Sequence, residues 1–332
     1  ADQHSAFAKY IMVLLGREPL FRAIWLLAGD SKPVTARNGF KVYKLISRRL
    51  FVSETADYVQ DITGCLESSI GGHGLDRASL DLWFNKAEGA LERLRADYAN
   101  ATLPLLRIVE ETADIDAAEA ALAKLSVGAE TIVFFGTGGS SLGGQTLAQI
   151  AGWGIPHTAA KVPHGRPRIR FYDNLDGGTL EALLAATDFN KTRFIVTSKS
   201  GGTVETLAQA IATISAIQSA GLGERIPSLF LGITEPDAPG RSNGLRALFQ
   251  SLSIPLLEHH TGVGGRFSCL TNVGLLPAMA RGLDARDIRA GARAVLQPML
   301  HAAPVADIPF AAGAATMVAL SKHRGIRSLV LM

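Results

Sequence analysis

The chain has 332 residues, of which 47% are hydrophobic and 19% are charged. This length predicts two domains with a substantial core, and the composition excludes a disordered chain, which would hold fewer apolar residues and more charge. The two cysteines, Cys65 and Cys269, lack the spacing of metal ligands. We therefore expect no disulfide framework, no structural zinc and a reducing compartment.

The basic charge of the chain is concentrated at its start. Residues 1–50 hold nine basic and three acidic side chains, whereas residues 51–332 hold 24 basic and 27 acidic ones. A mildly acidic body does not support nucleic-acid binding. Charged residues and Pro19 interrupt the apolar stretch at 10–28, so no membrane span is predicted there. We interpret residues 1–55 as a basic N-terminal extension, with a surface-binding amphipathic helix or a transit-like peptide as the alternatives.

A helical layer is predicted to follow. Apolar side chains recur at three- and four-residue spacing within 56–99, and a second helical stretch covers 115–125. We therefore expect residues 56–125 to form a helical N-terminal layer. The run at 131–136 then combines β-branched and aromatic residues and ends on a glycine, as is typical of a buried parallel strand.

Strands and helices alternate in the next part of the chain. Further strands are predicted at 168–172, 193–197 and 228–234, and helices at 179–186 and 204–219. After residue 265 we expect helix through 297, another helix at 310–323 and a last strand at 328–332. This order predicts an α/β fold, a parallel sheet flanked by helices in three α-β-α layers, with a binding crevice at the carboxyl ends of the strands.

A glycine-rich stretch directly follows the first predicted strand. It reads GTGGSSLGG at 136–144 and leads into a helical stretch at 145–151. Glycines let the backbone approach an anion, and the hydroxyls of Ser140 and Ser141 can donate to its oxygens together with helix N–H groups. The spacing differs from that of dinucleotide and ATP loops, which leaves another polar or phosphorylated ligand, or glycines that serve only tight packing.

A second turn of this kind follows the strand at 193–197. Its sequence, SKSGGTVET at 198–206, brings hydroxyl side chains, two glycines and a lysine to a helix N-terminus. Donors converge there where the helix dipole is positive, so a phosphomonoester fits the turn. The alternative is a serine-rich capping turn without a ligand. Two such turns in one sheet favour a small sugar phosphate over a nucleotide.

The third motif is GVGGRFS at 262–268, which sets Arg266 after two glycines. A guanidinium beside a ligand crevice can stabilise a developing oxyanion, because its charge is permanent and its donors form a rigid fork. Glu258, His259 and His260 form an acid–base cluster just before this motif. No motif supports a catalytic role for that cluster, and we interpret it as a polar loop.

Together the three motifs, in this order and at these separations, resemble the sugar-isomerase domain of the phosphoglucose isomerase family. The resemblance covers residues 62–332 and is strongest from 131 to 276. It implies reversible conversion of glucose 6-phosphate to fructose 6-phosphate through ring opening and a cis-enediolate, without a metal or an organic cofactor. It also implies a homodimer that binds a small sugar phosphate. We further expect a cytoplasmic protein with neither nucleic acid nor a membrane as a partner.

The resemblance also implies roles for individual residues. Those that would hold the phosphate are Ser198, Lys199, Ser200 and Thr203. Those that would contact the sugar are Gly139, Ser140 and Gly265, and Arg266 would stabilise the enediolate. Gly202 departs from the family pattern, in which a threonine is more usual at this place.

The family's proton-shuttling glutamate, its ring-opening histidine and a late lysine match no position in this sequence. We therefore expect a C-terminally incomplete chain that binds a sugar phosphate weakly or not at all and shows negligible turnover. In this interpretation residues 126–290 form one sugar-isomerase domain. Residues 291–332 begin a second, incomplete one.

Two alternatives stay open at this point. One is a non-catalytic regulatory module that senses a sugar phosphate, paired with a DNA-binding helix-turn-helix in the basic segment at 1–50. Pro19 and the Gly29–Asp30 pair argue against it, since they interrupt the helices that DNA recognition needs. The other is a different ketose–aldose isomerase, or the isomerase domain of an amidotransferase.

Overall fold

The computed structural model describes residues 61–154 and 165–328. The chain divides into two compact units, one formed by Ala1–Thr102 with Gly291–Met332 and the other by Leu103–Ala290. The predicted extension at 1–55 and the end of the predicted last strand at 328–332 lie outside the described residues. The domain boundaries inferred from the sequence stay a prediction.

The helices and strands of the described residues are the following. The longer helices are α1 (Arg77–Ala99), α2 (Ala113–Leu125), α3 (Leu142–Ile150), α4 (Gly177–Ala185), α5 (Val204–Ser219), α6 (Gly244–Ser251), α7 (Asn272–Ala280), α8 (Ala285–Leu300) and α9 (Pro309–Arg324). The strands are β1 (Thr131–Phe135), β2 (Arg168–Tyr172), β3 (Thr192–Thr197), β4 (Phe230–Thr234) and β5 (Leu256–Glu258). Short α-helical turns cover Glu67–Ile70, Pro104–Arg107 and Ile226–Leu229. The 3-10 turns are Thr63–Cys65, Gly71–His73, Ile108–Glu110, Gly138–Ser140, Gly223–Arg225, Gly265–Leu270 and Val305–Asp307.

The first unit is helical in its described part. Leu80 of α1 packs with Ala319 of α9, and Leu91 of α1 packs with Met299 of α8. The predicted helix at 56–99 is wrong at its start, because α1 begins only at Arg77. The side chain of Asp76 accepts a hydrogen bond from the Ser79 N–H at 2.7 Å and so caps the helix there. Among the residues that the structure describes, no helix is both long and apolar enough to cross a membrane.

The second unit holds a five-stranded sheet in the order β2-β1-β3-β4-β5. All of its neighbouring strands run parallel, and helices lie on both sides, which confirms the α/β fold predicted from the sequence. The central strand β3 is buried along its whole length. A strand that is covered on both faces reads as a continuous apolar run, which is why the sequence showed β1 and β3 clearly.

Aromatic rings cross one face of this sheet. The ring of Phe194 in β3 stacks on Phe135 of β1 at 5.8 Å and on Phe230 of β4 at 5.0 Å. Phe249 of α6 meets the ring of Phe230 edge-on at 6.0 Å. Apolar residues of α4, α5 and α6 complete this core cluster. The cluster fixes where α5 starts and therefore where its N-terminal turn lies.

Three details of the sequence prediction are corrected. β4 begins at Phe230, not at residue 228, because Ile226–Leu229 forms a helical turn. The helix expected from 265 to 297 is interrupted: Thr271 caps α7 by accepting from the Val273 N–H, and α7 ends before α8 starts at Ala285. The short edge strand β5 and the helix α6 carried no signal that we used.

The strand order fixes the place of the crevice. The chain leaves β1 to build β2 on one side of the sheet, and it returns to build β3, β4 and β5 on the other. In parallel sheets of this kind, ligands bind outside the carboxyl ends of the two strands between which the order reverses. The strands here are β1 and β3, and the first two sequence motifs follow them directly.

Candidate functional site

The first loop, residues 136–141, leaves β1 and enters α3. Gly138 has φ +53°, a conformation that favours glycine, and it starts a 3-10 turn. A Cβ on Gly139 would lie 2.3 Å from the carbonyl oxygen of Gly265, so only glycine allows this approach of two main chains. No side chain caps α3. Its first N–H groups are therefore available to a ligand.

The second loop, residues 198–203, leaves β3 and enters α5. The buried Ser198 hydroxyl donates to the Thr203 hydroxyl oxygen at 3.0 Å, and the exposed Ser200 hydroxyl oxygen accepts from the Gly202 N–H at 3.3 Å. Because Thr203 and Ser200 accept within the loop, their own O–H hydrogens stay available to an acceptor such as a phosphate oxygen. No side chain caps α5 either.

The third loop, residues 261–268, contacts both of the others. The buried Ser268 hydroxyl lies 3.1 Å from the Gly139 carbonyl oxygen and 2.7 Å from that of Gly265. The Lys199 ammonium of the second loop donates to the Val263 carbonyl oxygen at 2.8 Å. The three motifs therefore meet at one edge of the sheet.

Arg266 lies in the exposed part of the third loop. Its guanidinium makes no hydrogen bond or ion pair with any residue in 61–154 or 165–328, so all five of its donors are available to a ligand. The neighbouring Phe267 is also exposed, at 62% of its surface. The loop presents its cation on the surface, and the main chain on either side of that cation is anchored.

Comparison with known proteins gives a consistent result. The sequence profile of the phosphoglucose isomerase family matches residues 120–327, which is more than half of the chain. The chain belongs to the phosphoglucose isomerase family. It is 31% identical to glucose-6-phosphate isomerase of Carboxydothermus hydrogenoformans over 223 residues, which are 66% of this chain and 46% of that protein. It is 30% identical to the probable glucose-6-phosphate isomerase of Haloquadratum walsbyi over 263 residues, 78% of this chain and 54% of that one.

The fold is also found in a solved structure. A hypothetical protein of Thermus thermophilus superimposes with a TM-score of 0.60 at 26% sequence identity, over 74% of this chain and 56% of that one. The chain spans about half the length of the curated relatives that it matches. The family match covers all three loops, so the evidence for the family comes from the part of the chain that holds the candidate site.

The acid–base cluster next to the third loop is held by local partners. Glu258 is exposed and pairs with Arg246 at 3.0 Å. His259 is buried, and its Nδ1 lies 3.1 Å from the His260 carbonyl oxygen, to which it must donate. Burial lowers the pKa of His259, which favours the neutral ring. His260 Nδ1 accepts from the Gly262 N–H at 3.1 Å. These local contacts fit the interpretation of the cluster as a polar loop.

One residue that the sequence analysis did not select, Asn243, supports the second loop. The Asn243 amide donates to the Thr234 hydroxyl at 2.9 Å and to the Glu235 carbonyl oxygen at 3.0 Å. A Cβ on Gly201, which has φ +66°, would lie 1.7 Å from Asn243 Oδ1. Asn243 also accepts from the Arg246 N–H, as an N-cap residue does. Its position before α6 was the signal that could have revealed it.

A groove of about 790 Å³ lies away from the three loops. It runs between the sheet edge and α4, with Thr131, Arg170, Tyr172 and Leu183 in its walls. No residue of the three loops lines it. The loops, which carry the donors and the exposed Arg266 guanidinium, form the better candidate for an anion site than this chemically mixed groove.

Proposed function

We propose that this chain carries the sugar-phosphate site of a glucose-6-phosphate isomerase, which interconverts glucose 6-phosphate and fructose 6-phosphate through a cis-enediolate. The observation that supports the proposal most is the meeting of the three loops at the carboxyl ends of β1 and β3. Family membership supports the reaction type, and the names of the relatives given above indicate glucose 6-phosphate as the substrate.

The second loop is proposed to hold the phosphate. Its hydroxyl donors are Ser200 and Thr203, and the buried Ser198 contributes by holding the Thr203 hydroxyl in place. The N–H groups of Lys199 and of the uncapped first turn of α5 add main-chain donors. A helix N-terminus carries a partial positive charge, so a dianionic phosphate is stabilised there even without a direct ion pair.

The first and third loops are proposed to hold the sugar. Gly139 and Ser140 lie on one side and Gly265 on the other, and the main chains of the first and third loops touch. Proton removal from the open-chain sugar leaves negative charge on an enediolate oxygen, which the exposed Arg266 guanidinium can stabilise. The reaction oxidises one carbon and reduces its neighbour within one molecule, so the proposal includes no metal and no organic cofactor.

The proposal extends to the assembly and location of the protein. We propose a homodimer in the cytoplasm, which follows from the family resemblance and from the cysteine usage. Light scattering on the purified chain measures its mass directly. A monomeric mass at all protein concentrations would contradict the dimer and leave the sugar-phosphate site untouched.

Titration with glucose 6-phosphate tests the site. We expect weak binding, so backbone NMR shifts of the ¹⁵N-labelled chain are the suitable measurement, with glucose as the ligand that lacks the phosphate. Shifts should concentrate in residues 136–141 and 198–206 and be absent with glucose. Thr203→Val keeps the shape but loses the hydroxyl, and it should raise the dissociation constant about tenfold.

Thr187→Val is the matched control, because Thr187 lies outside the three loops and its hydroxyl donates to the Leu183 carbonyl oxygen. It should bind as the unmodified chain does. Equal shifts with glucose and with its phosphate, or shifts confined to the groove beside α4, would contradict the proposed site.

A further inference from the structure

The Lys199 ammonium is fully engaged by groups outside the second loop. It donates to the carbonyl oxygens of Val263 at 2.8 Å and Thr261 at 3.3 Å, and it lies 3.5 Å from the Glu235 carboxylate. A lysine ammonium has three N–H donors, and here three acceptors surround it. A phosphate in the second loop would therefore compete with these partners for the donors of the amine.

The Glu235 carboxylate fixes this arrangement from the β4 side. Its main-chain N–H donates to the Lys199 carbonyl oxygen at 3.0 Å, and its side chain is only 16% exposed. The main chain and the side chain of Glu235 thus both contact Lys199. The carboxylate, which also lies 4.0 Å from the exposed Arg241 guanidinium, therefore helps to hold the Lys199 ammonium beside the third loop.

The carbonyl oxygens that accept from Lys199 belong to Thr261 and Val263, in the same loop as Arg266 and ahead of it in the chain. Val263 is buried and precedes Gly264, Gly265 and Arg266. On the other side of Arg266, the Ser268 hydroxyl fixes the loop to Gly139. Arg266 therefore projects from a short segment of which one end is held by Lys199 and the other by Ser268.

We propose that Lys199 is a positioning residue, whose ammonium holds the third loop so that the Arg266 guanidinium faces the reacting end of the sugar. It contributes to phosphate binding through its main-chain N–H and not through its amine. This inference rests on the proposed function and refines it. It separates the groups that bind the phosphate from the Lys199 amine, which positions the Arg266 guanidinium that stabilises the oxyanion.

Hydrogen exchange without any ligand tests the contact itself. Lys199→Met removes the donors and keeps the aliphatic stem, so amide exchange at 262–267 should accelerate at least tenfold. Lys199→Arg, which can still donate to two carbonyl oxygens, should restore most of the protection. Lys191→Met is the control, because Lys191 is an exposed lysine paired with Glu130 at 2.7 Å. Unchanged exchange in Lys199→Met would overturn the inference.

Ligand binding tests what the contact does. Inorganic phosphate probes the second loop alone, whereas an aldonate phosphate places a carboxylate where the enediolate would form. In Lys199→Met the dissociation constant for inorganic phosphate should change less than twofold, and that for the aldonate phosphate should rise about tenfold. Arg266→Ala should produce the same pattern. The variant with both substitutions should bind the aldonate phosphate little more weakly than either single variant, because Lys199 acts through Arg266.

The outcomes separate the two proposals. A roughly equal loss of both ligands in Lys199→Met would show that the amine binds phosphate directly and would overturn the positioning role. Additive losses in the double variant would overturn it as well. If the unmodified chain binds neither ligand while exchange at 262–267 still depends on Lys199, the proposed function fails and the contact stands as a purely structural one.

Discussion

Gly139 and Gly265 show how different two glycines at one contact can be. A Cβ on Gly139 would fall 2.3 Å from the Gly265 carbonyl oxygen, which is part of the main chain and cannot rotate away. A Cβ on Gly265 would meet no atom within 4 Å, and the residue has no positive φ. Gly139 is therefore required by packing between the first and third loops, and Gly265 is not.

Gly139→Ala is expected to lower the free energy of unfolding by about 1–3 kcal/mol, the usual cost of adding an atom where none fits. Gly265→Ala should change it by less than about 0.5 kcal/mol. Urea unfolding of the two variants measures the difference. Equal stability of both would show that the first and third loops do not pack as closely as described.

The element that holds the chain just after the third loop is α8. Arg289 in its first turns is almost fully buried and donates to the carbonyl oxygens of Leu270 at 2.8 Å and Glu111 at 2.8 Å. It also pairs with Asp114 of α2 at 2.7 Å. One guanidinium thus joins the segment just after the third loop to the start of α2, and it does so without touching the donors of the site.

Arg289→Met is expected to cost about 3–5 kcal/mol of unfolding free energy, because it leaves a half-buried carboxylate and main-chain carbonyl oxygens without their donor. Arg286 is the control on the same helix: it is exposed and pairs with Asp116 and Glu119 on the surface. Arg286→Met should cost less than about 1 kcal/mol. Thermal or urea unfolding compares the two, and similar losses would contradict the assignment.

At the scale of the whole molecule, the candidate site is confined to one of the two compact units. The sheet, the aromatic core and the three loops all lie within Leu103–Ala290. A unit with its own core can in principle fold by itself. We therefore expect this part of the chain to keep the proposed phosphate binding when it is produced alone.

A polypeptide of residues 103–290 is expected to fold and to bind inorganic phosphate as the full chain does. Its NMR spectrum should show the same phosphate-induced shifts at 198–206, with a dissociation constant within about twofold. The matched measurement is the full 332-residue chain under the same conditions. Loss of phosphate shifts in a folded 103–290 polypeptide would show that residues outside it take part in the site.

Much of the fold could be predicted because its central strands are short apolar runs that end in glycine or hydroxyl-rich turns. β1, β2 and β3 are found within one residue of their predicted ends. Burial on both faces leaves a continuous apolar signal in β1 and β3, whereas the edge strand β2 exposes Arg168 and Arg170 on either side of the buried Ile169. β5 has three residues and an exposed glutamate, so it carries too little pattern to be recognised. The start of α1 was missed because its capping Asp76 lies inside a helix-compatible stretch.

The sequence by itself determined the family, the α/β order and the chemical types at the three motifs, because turn residues and apolar runs are local properties. Only the tertiary structure decided that the Lys199 amine lies on the carbonyl oxygens of the third loop and that Arg289 and Asn243 support the site. These contacts join residues far apart in the chain. A donor's partner depends on which main-chain oxygens the packing brings near it, and that information is absent from the local sequence.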